Sequence, residues 1–113
     1  MTVTDMCSDF SVTSRTIHID DLKSIADAGF KSILCTRPDG EDTTQTNFAT
    51  IAKAADALGI ECRQIEVFGH LGISQDNVAA FVDAWEKLPR PIFGYCRSGN
   101  RVATLYQITA NMR

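Results

Sequence analysis

The fold follows from residues 92–101, Ile92-Phe93-Gly94-Tyr95-Cys96-Arg97-Ser98-Gly99-Asn100-Arg101. Residues 92–95 are apolar and follow Pro89 and Pro91, which end the preceding helix, so they are typical of a short buried strand. Small and polar residues then form a turn, and a helix begins near Asn100. Loops that join a strand to a helix lie at the carboxyl edge of a parallel sheet, where ligands bind.

The rest of the chain alternates strand and helix patterns around this unit. Strand patterns cover 10–13, 30–36 and 61–68, and helix patterns with one apolar face cover 21–28, 47–58 and 74–88. This alternation predicts an α/β fold of three layers, with a mostly parallel sheet of four to five strands and helices on both faces.

We expect residues 1–113 to form a single domain, because the chain is too short for two cores and long enough to bury one. Residues 1–8 are predicted to be a flexible tail. Cys96 lies only 17 residues from Arg113, which leaves room for one short helix after the loop. The chain is therefore also expected to be a module of a longer fusion protein, or a minimal form whose site a partner covers.

Composition and charge exclude several classes of protein. The chain is 44% hydrophobic and 22% charged, a balance typical of a globular domain. No run approaches the roughly 20 apolar residues of a membrane span, and the first residues do not resemble a signal peptide, so a cytoplasmic protein is predicted. Eleven Lys and Arg against fourteen Asp and Glu give a net charge of −3 without a basic run, which argues against a nucleic-acid partner.

The four cysteines are not spaced as a metal site or a disulfide framework. They lie 28, 27 and 34 residues apart, and none stands beside another Cys or a His at zinc-like spacing. No metal and no other cofactor is therefore predicted. Cys35 and Cys62 alternate with apolar neighbours inside predicted strands and are assigned to the core. Cys96 differs from them because it stands between a strand and a helix.

The loop at 96–101 has the composition of an anion site built around a thiolate. Backbone N–H groups at a helix N-terminus bind anions, and the helix dipole adds positive potential, which favours the thiolate form of a cysteine. Arg101 offers a planar fork for two oxygens of an anionic substrate. Cys96 and Arg101 are therefore the candidate catalytic residues, although each residue alone also fits an ordinary turn. The candidate binding residues are Arg97, Ser98, Gly99 and Asn100, joined by His70 and Asp39 from neighbouring loops.

With these residues the chain becomes recognisable. The loop Cys96-Arg97-Ser98-Gly99-Asn100-Arg101 resembles the active loop of single-domain rhodaneses, while the whole chain resembles the DUF442 family, the phosphatase-like domains of beta-lactamase hydrolase-like proteins. The other matching segments are 28–31, 37–41 and 72–74. The resemblance implies the fold of cysteine-dependent tyrosine phosphatases, with Cys96 as nucleophile and Arg101 as anion binder. It also implies a link to sulfur metabolism, because members of the family occur fused to sulfide-oxidising enzymes and sulfurtransferase activity has been associated with the domain.

Three departures from the tyrosine-phosphatase pattern bear on the reaction. Four residues separate Cys96 from Arg101, as in rhodaneses, whereas phosphatases have five. Val102 stands where phosphatases have a hydroxyl, and Tyr95 where they have a histidine. The loop 69–72 contains no carboxylate to protonate a leaving alkoxide. Sulfur transfer needs no such acid, because sulfite or a low-pKa thiolate leaves unassisted.

Sulfur transfer is therefore the function that the sequence favours. A Cys96 persulfide would take sulfane sulfur from thiosulfate or a persulfide and pass it to a thiol acceptor, with a fused or associated sulfide-oxidising redox enzyme as partner. The alternative is a phosphatase that forms a Cys96 phosphocysteine and uses His70, Asp39 or Glu41 as its acid. A third hypothesis is a non-catalytic anion-sensing or docking domain.

Overall fold

This computed structural model describes residues 2–113 and contains five strands and four helices, with two consecutive strands at the start and strands and helices alternating from there on. The strands are β1 (Val3–Cys7), β2 (Phe10–Thr13), β3 (Ser32–Cys35), β4 (Glu61–Gln64) and β5 (Ile92–Tyr95). The helices are α1 (Leu22–Asp27), α2 (Phe48–Asp56), α3 (Gln75–Lys87) and α4 (Asn100–Ile108), and a short 3-10 turn at Ile19–Asp21 precedes α1.

The sheet has the strand order β1-β2-β5-β3-β4. Strands β2, β5, β3 and β4 are parallel to one another, and only β1 runs antiparallel, paired with β2. The predicted α/β architecture with a mostly parallel sheet is confirmed. Because β5 is central, the loop after it emerges in the middle of the carboxyl edge, flanked by the ends of β2 and β3.

Two apolar clusters cover the two faces of the sheet, as the prediction of helices on both faces requires. The first core packs α3 and α4 against one face, around Phe10, Phe81 and Leu105. The second core packs α1 and α2 against the other face, around Ile33 and Phe93. All five of these side chains are 0–1% exposed. The sheet is therefore held rigidly on both sides, which fixes the position of the loops at its edge.

A close approach between α4 and β5 depends on Gly94. A Cβ at this position would lie 2.9 Å from Cγ2 of Val102 and 3.2 Å from the Phe10 ring. Side chains are close-packed in such cores, so a methyl group there would push the helix away from the strand. The glycine thus sets how near the start of α4 comes to the end of β5.

The flexible tail predicted for residues 1–8 is wrong for residues 3–7, while Met1 lies outside the described residues. Residues 3–7 form the edge strand β1, whose register pairs Val3 with Thr13 and Asp5 with Ser11. The Ser11 hydroxyl also donates to Asp5 Oδ1 at 2.6 Å. An edge strand with one solvated face carries no apolar run, which is why the pattern VTDMC does not stand out as a strand.

Some element bounds also differ from the sequence patterns. The strand predicted over 61–68 ends at Gln64, but the chain stays hydrogen-bonded to β3 beyond it, since Ile65 N donates to Cys35 O and Val67 N to Thr36 O. None of the helices within residues 2–113 has the length and apolar character needed to cross a membrane.

Candidate active site

The Cys96 side chain lies directly between the end of β5 and the start of α4. Its Sγ accepts a hydrogen bond from the backbone N–H of Gly99 at 3.1 Å. Gly99 is the N-cap residue of α4, so the sulfur stands at the positive end of the helix dipole. The predicted combination of a strand-end cysteine and a helix N-terminus is thus present in the structure.

The turn that carries this hydrogen bond requires glycine at position 99. Its φ is +89°, in the left-handed region, and an added Cβ would lie 2.6 Å from the carbonyl oxygen of Thr13 and 3.0 Å from Val12 Cγ1. The loop therefore rests against the end of β2 without space for a side chain. This contact directs the Gly99 N–H toward the Cys96 sulfur.

The guanidinium of Arg101 is held by three hydrogen bonds across the site. Its Nη1 and Nη2 donate to the two carboxylate oxygens of Glu41 at 3.0 and 2.9 Å, and Nη1 also donates to the carbonyl oxygen of Val67 at 3.0 Å. The backbone of Gly69 lies alongside, since a Cβ there would be 3.6 Å from Arg101 Nη2. Arg101 is thus fixed in orientation, with its Nε and the second N–H of Nη2 left for an anion.

A second arginine holds the same carboxylate. Arg37 Nε donates to Glu41 Oε1 at 2.9 Å, and Arg37 is only 3% exposed. Burial acts to raise the pKa of Glu41, but hydrogen bonds and positive charge from Arg101 and Arg37 outweigh it and hold that pKa below its usual value. Arg37, Glu41 and Arg101 together carry two positive charges and one negative, which leaves a net positive charge at this group of side chains.

Sequence reasoning missed this use of Glu41, which it considered only as an acid for leaving-group protonation. A carboxylate with a lowered pKa stays ionised near neutral pH and has no proton to give. Its two oxygens are also occupied by guanidinium groups. Glu41 is therefore a support for Arg101. The Arg37-to-Glu41 segment was singled out by the family resemblance, but nothing in its spacing indicated the partner 60 residues away.

Three of the predicted binding residues lie in the loop but away from the Cys96 sulfur. The side chains of Arg97, Ser98 and Asn100 are exposed. Ser98 and Asn100 line a groove of about 260 Å³ between the β1–β2 edge and α4, together with Gly99. Neither Cys96 nor Arg101 lines that groove. A binding role for these residues remains a prediction, and it concerns backbone groups more than side chains.

The two residues predicted from neighbouring loops occupy different settings. His70 is exposed, and its ring meets the ring of Phe68 edge-on at 6.2 Å between centroids. Asp39 Oδ1 accepts a hydrogen bond from the backbone N–H of Phe48 at 2.8 Å, at the first residue of α2. The structure therefore shows Asp39 stabilising a helix terminus, and substrate binding by either residue stays a prediction.

Tyr95 precedes the candidate nucleophile but faces the other side of the sheet. It is 2% exposed and packs in the second core, whereas Cys96 packs in the first. Cys35, also in the second core, is 1% exposed, and burial raises the pKa of its thiol to about 11. Cys35 thus lies in the core as predicted, and its thiol stands on the opposite face from Cys96.

Cys96 itself has no solvent-exposed surface. A substrate therefore reaches the sulfur only when a group that covers it moves. Within residues 2–113 no three His, Cys, Asp or Glu side chains are grouped in a way that could hold a metal ion. One chemistry that the described residues would support is attack by a thiolate on an anionic group bound by Arg101 and the N–H groups at the start of α4.

Comparison with known sequences points to one family. The family profile described as "Beta-lactamase hydrolase-like protein, phosphatase-like domain" matches residues 2–112. The chain is 36% identical over 88 residues to a beta-lactamase hydrolase-like protein of Agrobacterium fabrum, covering 78% of this chain and 20% of that protein. A protein of the same description from Xylella fastidiosa is 28% identical over 92 residues, 81% of this chain and 21% of that protein. The chain thus spans about a fifth of the length of these relatives.

Solved structures with the same fold are described as phosphatases or candidate phosphatases. A candidate phosphatase from Neisseria meningitidis superposes with a TM-score of 0.81 at 25% identity, over 96% of this chain and 78% of that one. A DUF442 candidate phosphatase from Shewanella putrefaciens gives 0.79 at 16% identity, over 98% and 70%. The core catalytic domain of the yeast PP-IP phosphatase SIW14, in complex with citrate, gives 0.74 at 16%, over 97% and 65%. The latter two show the fold alone.

Proposed function

Since the chain belongs to the family of phosphatase-like domains of beta-lactamase hydrolase-like proteins, we propose that it is a cysteine-dependent phosphatase that acts through a Cys96 phosphocysteine. The observation that carries this proposal is the placement of Cys96 Sγ at the N-terminus of α4, with Arg101 in the first turn of the same helix and held in orientation by Glu41. The comparisons favour this reaction over the sulfur transfer that the sequence alone suggests, and they lend sulfur transfer no support.

Each group has a defined part in the proposed reaction. The Cys96 thiolate attacks phosphorus, and the bond from phosphorus to the ester oxygen breaks with its electron pair on that oxygen. Arg101 and the N–H groups at the start of α4 bind the phosphoryl oxygens, where charge builds up in the transition state. Water then attacks the phosphocysteine, releases inorganic phosphate and restores the thiolate.

The leaving group of the substrate matters because neither carboxylate is placed as an acid. Glu41 has a lowered pKa and is held by two arginines, and Asp39 accepts a hydrogen bond at the start of α2. His70, the third candidate acid, is exposed beside the Phe68 ring, and its role stays a prediction. Without protonation, departure of the ester oxygen is fast only when the oxygen bears a stabilised charge. We therefore expect aryl phosphates to react much faster than alkyl phosphates.

The direct test is release of phosphate from p-nitrophenyl phosphate by the wild-type protein and by Cys96→Ser. We expect Cys96→Ser to abolish release and Arg101→Lys to lower it, because lysine cannot replace the fork that binds two oxygens. Arg90→Lys changes an arginine that stacks on Trp85 just before β5, at the opposite end of that strand from the loop, so it is the matched control and should leave release unchanged. Phosphate release that persists in Cys96→Ser would refute the proposal.

The second candidate remains sulfur transfer, favoured by one specific observation. Only four residues separate Cys96 from Arg101, and the Gly99 N–H already lies 3.1 Å from the sulfur. Such a tight loop suits one terminal sulfur atom on Cys96. Thiosulfate, or a persulfide from a fused or associated redox enzyme, would be the donor, and a thiol the acceptor. Incubation with thiosulfate should then add one sulfur to the intact mass, removable by cyanide and absent in Cys96→Ser.

A further inference from the structure

Thr36 carries a buried hydroxyl that is left without a hydrogen bond. The residue is 0% exposed, and its Oγ1 has no partner among the described residues. Burying a hydroxyl without a partner destabilises a folded protein, and such groups are rare. The unpaired hydroxyl of Thr36 therefore points to a hydrogen-bond partner that it gains in another state of the site.

The sheet register places Thr36 next to Cys96. The β3–β5 pairing aligns Cys35 with Tyr95, and the Thr36 N–H continues it by donating to the Tyr95 carbonyl at 3.0 Å. In a parallel ladder this hydrogen bond aligns Thr36 with Cys96. Neighbouring strands are about 4.8 Å apart, so the two side chains start from adjacent positions.

Thr36 also shares a face with Cys96. Side chains alternate along a strand, so Thr36 is on the face of Leu34, which packs in the first core together with Cys96. The Thr36 carbonyl accepts from Val67 N at 3.4 Å, and the Val67 carbonyl in turn holds Arg101. Thr36 is therefore aligned with Cys96 in the sheet and is linked to Arg101 through the backbone of Val67.

We propose that the Thr36 hydroxyl donates a hydrogen bond to the Cys96 sulfur when that sulfur carries negative charge. Among the described residues the sulfur has a single donor, the Gly99 N–H. Tyrosine phosphatases supply a further hydroxyl from the residue after the arginine, where this chain has the buried Val102. Thr36 supplies it instead from the neighbouring strand. This inference rests on the proposed phosphatase function.

The step that the hydrogen bond assists is the hydrolysis of the phosphocysteine. The oxygen of water forms a bond to phosphorus, the phosphorus–sulfur bond breaks with its electron pair on sulfur, and the proton from water passes to solvent. The departing sulfur thus becomes a thiolate. A hydrogen bond from Thr36 to that charge lowers the barrier of this second step, because charge-assisted hydrogen bonds are the strong ones.

The test compares Thr36→Val, which keeps the shape and removes the hydroxyl, with Thr36→Ser, which keeps the hydroxyl. With p-nitrophenyl phosphate, Thr36→Val should release a burst of about one p-nitrophenol per protein and then turn over about tenfold more slowly than wild type, as expected when the covalent intermediate accumulates. Thr36→Ser should stay close to wild type. Thr16→Val removes another buried, unpartnered hydroxyl and is the control that should change nothing.

Two further measurements distinguish the proposed role of the Thr36 hydroxyl from an effect on stability and from a failure of the proposed phosphatase function. Thr36→Val should unfold at the same temperature as wild type or higher, because it removes an unsatisfied group, so lower activity with lower stability would indicate a packing role instead. The ultraviolet absorbance of the Cys96 thiolate, taken as the difference from the matching Cys96→Ser protein, should fall in Thr36→Val and persist in Thr36→Ser. This absorbance tests Thr36 even if the wild-type protein releases no phosphate. Unchanged absorbance and unchanged turnover in Thr36→Val would overturn the inference.

Discussion

Glu41 and Arg101 form a bidentate ion pair across 60 positions of sequence, with N–O distances of 2.9 and 3.0 Å. Arg37 binds the same carboxylate from a buried position, so Glu41 is itself held in place. The pair matters for the reaction because the arginine must present its remaining N–H groups toward an anion above Cys96. Its orientation is therefore set before a substrate arrives, which lowers the cost of binding the transition state.

Glu41→Gln should lower kcat/KM for p-nitrophenyl phosphate by about tenfold, because the neutral amide holds the arginine more weakly and in only one of its two contacts. The measurement is steady-state kinetics on wild type, Glu41→Gln and Asp42→Asn. Asp42 is the neighbouring carboxylate, whose hydrogen bonds go to Thr44, so its variant should retain activity. An unchanged kcat/KM in Glu41→Gln would show that the orientation of Arg101 does not depend on the Glu41 carboxylate.

The same carboxylate predicts a pH dependence of stability. The pKa of Glu41 is lowered in the folded protein, while in the unfolded chain it takes the usual value of about 4.3. The contribution of Glu41 to the free energy of unfolding is therefore fully present above about pH 4.3, and it is lost as the pH falls through the lower pKa of the folded state. Urea unfolding at pH 7 and at pH 3 should show wild type more stable than Glu41→Gln at pH 7, with the difference shrinking at pH 3. A constant difference would contradict the assignment.

Gly99→Ala should destabilise the protein far more than Gly72→Ala. Both glycines have positive φ, which costs an alanine about 1–2 kcal/mol. At Gly72 nothing lies within 4 Å of the added Cβ, whereas at Gly99 it meets the Thr13 carbonyl at 2.6 Å. We expect a loss of about 3 kcal/mol or more for Gly99→Ala, measured by chemical unfolding. Equal losses of stability in the two variants would mean that the loop can move away from the end of β2 to accommodate the added methyl group.

The unit from β5 to α4 could be predicted from residues 92–101 alone, because an apolar strand, a glycine turn and a helix are local features. The position of Cys96 at the helix N-terminus follows from the same residues. Local patterns also indicated that β2 to β5 alternate with helices. The edge strand β1 was missed, because its VTDMC pattern is half solvated and its pairing with β2 is a tertiary contact.

The support around Arg101 could not be predicted for a different reason. The hydrogen-bond partners of Arg101 depend on the paths of the loops after β3 and β4. These paths place Glu41 and the Val67 carbonyl within hydrogen-bond distance of the guanidinium. The hydroxyl of Thr36 was missed likewise, since its place beside Cys96 depends on strand register. Asp39 also has a structural contact that its position in the loop does not indicate, because its Oδ1 accepts a hydrogen bond at the start of α2, while its role in substrate binding stays a prediction.

Variants of Asp39 can separate its role in stabilising the start of α2 from a role in binding substrate. Its Oδ1 accepts from the Phe48 N–H at 2.8 Å, and removing such a cap costs about 1 kcal/mol. Asp39→Ala should lose that stability, whereas Asp39→Asn should keep most of it, because an amide oxygen also accepts the hydrogen bond. Chemical unfolding measures the loss, and KM for p-nitrophenyl phosphate in the same proteins measures binding. A raised KM in Asp39→Asn without a change in stability would instead place the carboxylate in contact with the substrate.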